Sequence, residues 1–359
     1  MQKKKVAIIG ATGLAGQQFL ASLARHPGFE VAALAASARS AGKCYREAIT
    51  HESGSLQWFC PEPLSPALAD LPVQEARTFD ARTVDLVFAA VESDAARELE
   101  PIYARTTPVV STASAFRDEP DVPIFIPGVN LEHDGLIAVQ KARRGWQGFI
   151  TPIPNCTVTG LAITLKPLQD AFGIQSVLMT SLQACSGAGR SPGVIGLDII
   201  DNVIPYIPKE EEKVQREAQK ILGRLEGDHI VPANWAVSAT CTRVPVLEGH
   251  TEAVNVSLER SASLADVKSV LAEFGRNFIS RRLPSSPSRL IQVTDEPFRP
   301  QPRRDRDTED GMVTTVGRLR VDPVLSNGIK YVLVSHNTKM GAAKGAILVA
   351  EHLVDRGLI

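Results

Sequence analysis

The sequence predicts an α/β protein in two parts, an N-terminal doubly wound parallel sheet and a C-terminal α+β domain. Three observations carry this. Up to about residue 150, short β-branched runs alternate with helical patterns; a glycine triplet follows directly on the first run; beyond that point the strand-like runs lengthen and the helices between them thin out. At 359 residues the chain is long enough for two cores.

The first-half strands are "KVAIIG", "FEVAALA", "VDLVFAAV" and "TPVVST". Each is almost continuously apolar, as expected of strands covered on both faces. Between the first two, "LAGQQFLASLARHP" sets Leu14, Phe19, Leu20 and Leu23 close to helical spacing, with Pro27 just past the end. In the second half, "IQSVLMTSL", "NWAVSATCTRVPV", "TEAVNVSLE", "TTVGRLRV" and "KYVLVSHNT" predict a mostly antiparallel or mixed sheet. "RLPSSPSR" and "PFRPQPRRDRDTEDG" read as polar loops, and "PYIPKEEEKVQRE" as a solvated helix start with acids in its first turn. The closing "GAAKGAILVAEHLVDRG" is an amphipathic helix. The expected division is residues 1–152 as the first domain, 153–337 as the second, and 338–359 returning to the first.

A net charge of −1 gives no reason to expect nucleic acid or an anionic membrane as partner. The apolar run Val6 to Ile9 stops at Gly10, too short for a secretory core, and no stretch approaches a membrane span. Five cysteines (44, 60, 156, 185 and 241) form no CxxC pair. That spacing argues against a disulfide scaffold or a metal site and fits a reducing cytoplasm.

Gly10, Gly13 and Gly16 in "IIGATGLAG" stand between strand and helix. Free amides at such a helix start bind a pyrophosphate, and glycine lets the backbone approach it. The residues after the second strand, "ASARSAGK", contain no acid to hold a ribose 2′-hydroxyl; they offer Ser37, Arg39, Ser40 and Lys43. A guanidinium with hydroxyls suits a 2′-phosphate, so the expected cofactor is NADP(H).

"TPIPNCTVTGLAITLKPL" places Cys156 after a proline-broken strand and at the start of a helix, with Asn155 near the N-cap. The helix dipole there favours thiolate, the form that attacks an acyl carbon. The other reading, a small buried hydrophobe, stays open on local pattern alone. "CTRVPVLEGHTEAV" adds Arg243, whose fork suits a carboxylate, and His250, which titrates near neutrality and can take the thiol proton or pass one to a substrate oxygen.

Several long ordered motifs together give a resemblance. "GATGLAGQ", "ASARSAGKCY", "PNCTVTGL", "SLQACSGAG", "LDIIDNVIPYIPKEEEK", "VSATCTRVPVLEGHTEAV" and "SHNTKMGAA" run nearly end to end, and the chain resembles aspartate-β-semialdehyde dehydrogenases of the archaeal and fungal branch. The resemblance implies a Rossmann-type, dinucleotide-binding first domain and a catalytic and dimerisation second domain like that of glyceraldehyde-3-phosphate dehydrogenase. It implies Cys156 as acyl-accepting nucleophile, Gln183 as orienting group and His250 as acid/base. Arg243 would hold the substrate carboxylate, Glu210 its ammonium, and Lys213 and Arg117 the phosphate. The cofactor would lie on Gly10, Thr12, Gly13, Leu14, Ala15 and Gly16, on Ser37, Arg39, Ser40 and Lys43, and on Ser186, Gly187 and Asn337, the last near the nicotinamide. Inorganic phosphate would be co-substrate, the assembly a homodimer or homotetramer, and the product a precursor of lysine, threonine and methionine.

Two departures bear on this. "SGAGRSPGV" is one residue longer than the family form, so Arg190 and Ser191 are expected to reshape a substrate loop; Cys185 reads as buried filler or, less simply, a second thiol near the site. The rivals are related thioester-forming reductases, of malonyl-CoA or N-acetylglutamyl phosphate, and a non-catalytic NADP-binding regulator. Tyrosine-based short-chain chemistry is disfavoured, because no tyrosine begins a YxxxK; Tyr206 and Lys209 are one residue too close.

Overall fold

Six parallel strands make the first sheet: β1 (Lys4–Ile9), β2 (Phe29–Ala36), β3 (Val73–Glu75), β4 (Leu86–Ala89), β5 (Val109–Ser111) and β6 (Ile150–Pro152), in spatial order β3-β2-β1-β4-β5-β6. The structure, a computed structural model, describes residues 2–188 and 195–359. The "SGAGRSPGV" expectation for Arg190 and Ser191 therefore lies outside the described residues. Val6 to Ile9 and Leu86 to Ala89 are fully buried, because helices cover both faces. The strand order reverses between β1 and β4, and the crevice beyond their C-terminal ends is where such sheets bind ligands. Short β3 escaped the sequence reading, since three residues with one buried side chain leave no periodicity to detect.

The second sheet comprises β7 (Ile174–Gln183), β10 (Ala236–Arg243), β11 (His250–Leu258), β12 (Ile291–Val293), β13 (Thr314–Val321) and β14 (Gly328–Ser335). A short hairpin, β8 (Arg224–Glu226) with β9 (His229–Val231), stands apart from it. The order is β10-β7-β11-β14-β13-β12, with β10–β7 and β12–β13 parallel and the other pairs antiparallel. The sheet is mixed, as expected.

Of the longer helices, α1 (Leu14–Leu23), α2 (Ser93–Ala104) and α3 (Gly135–Arg144) belong to the first half. The next, α4 (Cys156–Phe172), runs through the second core, with Val158, Leu161, Ala162, Ile163 and Leu165 fully buried. Helices α5 (Glu210–Ile221) and α6 (Leu264–Glu273) pack against it. The last, α7 (Ala343–Asp355), rests on α1; its Ile347, Ala350 and Leu353 share a cluster with Phe19, Leu20 and Leu23. The helix occupies part of the 338–359 segment expected to return, and ahead of it Thr338, Gly341 and Ala342 line a cleft.

Two segments differ from expectation. "PFRPQPRRDRDTEDG" holds a helical turn, Pro302–Asp305, and Asp305 is fully buried against Arg299 and the Gln301 amide. A single buried carboxylate with both donors in place orders a stretch that composition marks as loop. In "PYIPKEEEKVQRE", Glu210 and Glu217 are buried, not solvated, since they face α4 and the cleft.

Gly16 sits where α1 crosses the loop: a Cβ there would lie 2.3 Å from the Gly10 carbonyl oxygen and 2.7 Å from Ala11 Cα. Backbone cannot yield as a side chain does. Gly16→Val is expected to cost at least about 2 kcal/mol and to lower the thermal midpoint by several degrees; an unchanged melting curve would contradict this packing.

Candidate active site

A cleft of about 1840 Å³ opens beyond the ends of β1, β4 and β5 and reaches the edge of the second sheet. At one end lies the glycine loop. Gly10 adopts φ +81°, and a Cβ on it would meet the Ala90 carbonyl oxygen at 2.3 Å, so only glycine makes this turn. Helix α1 starts at Gly13 with no side-chain cap and no acid in its first turn. Its amides are left for a ligand, and the dipole there favours an anion. Thr12, Gly13, Leu14 and Ala15 line the cleft, whereas Gly10 and Gly16 shape the loop from behind. Of the four residues read as a 2′-phosphate cradle, Arg39 lines the cleft; Ser37 and Lys43 are exposed beside it, and Ser40 is buried, its amide bonded to the Ser37 carbonyl.

At the other end α4 begins. The Asn155 side-chain oxygen accepts from the amides of Thr157 (2.8 Å) and Val158 (3.3 Å), an N-cap that fixes the first turn. Cys156 is the first helical residue and lines the cleft. A Cβ on Gly341, in "SHNTKMGAA", would come within 3.1 Å of Cys156 Cβ, so that segment seats closely against the thiol.

His250 opens β11 after a glycine at φ +91° and is fully buried. Its Nε2 lies 3.1 Å from Cys156 Sγ, and its Nδ1 accepts the Ala184 amide at 3.1 Å. A backbone N–H on Nδ1 puts the proton of the neutral ring on Nε2, facing the sulfur. Burial, reinforced by Arg243 and His336, holds the imidazole far below its ordinary range, at about 3. The ring is neutral and acts toward sulfur as a hydrogen-bond donor.

The thiol behaves differently from what the helix dipole alone predicts. Burial pushes Cys156 up to about 12, with Glu210 adding to the rise; Arg117, Arg243 and the Thr157 amide pull the other way and lose. Desolvation outweighs the dipole because the dipole supplies about half a charge at the helix end, whereas removing water costs the thiolate its whole hydration shell.

Around this pair the structure gathers the remaining candidates. Glu210 Oε1 accepts from Asn155 Nδ2 (2.8 Å) and Gln183 Nε2 (3.1 Å), and Oε2 makes no hydrogen bond among the described residues. Gln183 is buried and thus reaches the site through Glu210, not through the cleft wall. Arg243 donates to the Ala184 carbonyl at 2.8 Å and lines the cleft. Gly187 lies against both Arg243 and His250; a Cβ there would be 2.8 Å from the arginine's Nη1. Asn337 accepts from the Gly249 amide (2.9 Å) and donates to Ser186 Oγ (2.8 Å), tying the end of β14 to the histidine turn. Lys213 faces the cleft without an ion pair among the described residues.

Arg117, on the loop after β5, donates Nη1 to Glu217 (3.0 Å) and Nη2 to the Thr112 carbonyl (2.9 Å), and its Nε has no partner. Cys185 lines the cleft, against the reading of it as buried filler; its strand ends there, so its thiol meets the opening. Two residues went unread: Glu217, whose signal was its place seven residues after Glu210 on one helix face, and His336, buried beside Glu248 and Asp307. Among the described residues no group of His, Cys, Asp and Glu is arranged to hold a metal, and no helix is long and apolar enough to cross a membrane.

Comparison with known proteins gives concordant matches. Residues 5–135 match the semialdehyde dehydrogenase NAD binding domain and residues 165–340 the semialdehyde dehydrogenase dimerisation domain. The chain is 45% identical to aspartate-semialdehyde dehydrogenase of Methanothermobacter thermautotrophicus, over 96% of this chain and 97% of that one. It is 46% identical to the Archaeoglobus fulgidus protein of the same name, over 99% of each. The fold superposes on aspartate semialdehyde dehydrogenase with NADP from Candida albicans with TM-score 0.88 at 40% identity, covering 99% of this chain and 100% of that one.

A neutral thiol in the ligand-free protein has a kinetic signature. Between about pH 7 and pH 9 the thiolate fraction, and the rate of Cys156 alkylation by iodoacetamide, should rise about tenfold per unit without levelling. Site-resolved mass spectrometry reads this; a plateau near neutrality would show a preformed thiolate–imidazolium pair instead.

Proposed function

The chain belongs to the aspartate-semialdehyde dehydrogenase family, and on that footing we propose that it catalyses the NADP-linked, phosphate-dependent interconversion of 4-phospho-L-aspartate and L-aspartate 4-semialdehyde. The observation that carries this is the 3.1 Å contact of Cys156 Sγ with His250 Nε2, in the same cleft as an uncapped glycine-loop helix.

In the reductive direction the Cys156 thiol gives its proton to an oxygen of the substrate's phosphoryl group, and the sulfur forms a bond to the acyl carbon. The bond from that carbon to the phosphoryl oxygen breaks, so that phosphate leaves carrying the proton. Phosphate leaves into the space faced by Arg117 and Lys213, where two cations stabilise the charge that develops on it. The uncapped amides of the glycine loop would hold the dinucleotide and Arg39 its 2′-phosphate; bound there, NADPH would supply the hydride that reduces the thioester carbonyl. Hydride transfer leaves an oxyanion on the thiohemiacetal carbon, which the neutral His250 stabilises as a hydrogen-bond donor through Nε2–H. Its electrons re-form the carbonyl as the C–S bond breaks, aldehyde is released, and the departing sulfur takes a proton from solvent in the cleft. Because the thiol keeps its proton when no ligand is bound, the two arginines, which favour thiolate, and the substrate's phosphoryl group, as proton acceptor, are part of its activation.

Substrate choice follows from charge. Arg243 offers a fork to an α-carboxylate, and Glu210, with Oε2 free of hydrogen bonds, offers a partner to an α-ammonium. A CoA thioester such as malonyl-CoA has no ammonium to satisfy that carboxylate. The matched dimerisation domain, which spans the second sheet, supports an oligomer, read here as a homodimer or a pair of them. The division at residues 152 and 337 belongs to the same proposal.

The test is NADP⁺ reduction with aspartate semialdehyde, with and without inorganic phosphate, and with malonyl-CoA reduction as the rival assay. Turnover that requires phosphate is expected, and Cys156→Ser should lose about a thousandfold or more in kcat. Near-normal turnover of that variant excludes the covalent route. Arg39→Ala should raise KM for NADP⁺ about tenfold and leave the poorer NAD⁺ reaction unchanged; equal effects on both cofactors would remove Arg39 from the 2′-phosphate.

A further inference from the structure

Helix α5 carries Glu210, Lys213, Glu217 and Lys220 at spacings of three, four and three, one continuous stripe along its length. The first two face the cleft. Glu217 lies a turn deeper, with its side chain 3% exposed, and a carboxylate there is tolerated only when fully paired. Its two oxygens go to two different parts of the site. Oε1 accepts from Arg117 Nη1 at 3.0 Å; Oε2 accepts the Asn155 backbone amide at 2.7 Å, one residue ahead of Cys156.

The same stripe fixes the arginine from the other side. Lys220 Nζ donates to the Arg117 carbonyl and the Glu119 carbonyl, each at 2.7 Å, so α5 holds the backbone of Arg117 and its guanidinium at once. The second arm of the guanidinium is taken by the Thr112 carbonyl. That leaves Nε buried with no partner, a donor oriented by its neighbours and unsatisfied in the free protein.

We propose that Glu217 is a positioning residue for phosphate: it orients the Arg117 guanidinium and ties it to the backbone that presents Cys156, so that the leaving group and the nucleophile are held by one carboxylate. This rests on Arg117 being a phosphate ligand, as above. Glu217 touches no reacting atom. Its effect is on geometry, and a guanidinium binds an oxyanion well only when its fork is aimed.

Glu217→Gln keeps the size but turns an NH₂ toward a donor, so one of the two contacts is lost. Glu217→Asp keeps the charge one methylene short. In the oxidative assay Glu217→Gln should raise KM for inorganic phosphate about tenfold and leave KM for the aldehyde and for NADP⁺ within about twofold, with Glu217→Asp intermediate. In an Arg117→Lys background, where the fork is gone, adding Glu217→Gln should change the phosphate KM by less than about twofold. A phosphate KM unmoved in Glu217→Gln, or effects that spread evenly over all three substrates and add to Arg117→Lys, would reduce Glu217 to a structural ion pair and overturn the proposal. If Glu217→Gln does not fold, the same comparison with Glu217→Asp decides. Wild-type turnover indifferent to phosphate overturns the reading of Arg117 and this proposal with it, an outcome distinct from phosphate-dependent wild type with indifferent variants.

Discussion

Everything in the site is referred to the first turn of one helix. Asn155 closes the free amides of α4 with its side-chain oxygen, gives its side-chain N–H to Glu210 and its backbone N–H to Glu217. Four hydrogen bonds on one residue fix where the next residue's sulfur can be. A cap of this kind stabilises by about 1 kcal/mol, a small amount; its larger consequence is positional. The helix behind it is buried along most of its length, so the thiol stands at the end of a rod that cannot shift.

That rigidity has an electrostatic counterpart. A helix start, two arginines and an imidazole N–H surround the sulfur, yet the thiol stays protonated when the cleft holds no ligand, because burial costs more than these groups return. His250 is neutral for a related reason: charging it would add a second uncompensated cation beside Arg243 and would put a proton on the nitrogen that already accepts the Ala184 amide. The resting pair is thus a neutral thiol, half-buried in the cleft wall, and a neutral imidazole N–H.

Chain connectivity explains why one helix, α5, can touch two parts of the cleft wall. Its N-terminal turn reaches the cleft through Glu210 and Lys213, and its next turns reach back to the loop after β5 at Arg117. The loop follows β5 of the first sheet, and α5 precedes the second sheet's β10. The Arg117–Glu217 ion pair bridges that gap between the loop and the thiol end of the cleft. Its burial gives it geometric value beyond that of a surface pair, which water screens.

The local order of residues was enough to place the strand–glycine–helix start and the helix opening at Cys156. It also placed the mixed character of the second sheet. Each depends on contacts within a few residues of chain, whose signals are periodicity, caps and glycine. The residue pattern also singled out Arg243 and His250, and the family resemblance added Asn337. The pattern did not show that Ser40 turns inward while Arg39 turns to the cleft, nor that Asp305 orders a charged loop. Nor did it show that Glu217 is buried between an arginine a hundred residues earlier and the amide before the nucleophile. Those outcomes were decided by tertiary structure, for one physical reason: burial sets the cost of a charge, and burial is a property of everything packed around a residue, not of its neighbours in sequence. The same reason reversed the expected ionisation of Cys156, where the helix contributed what its sequence promised and the surrounding protein removed the water that a thiolate needs.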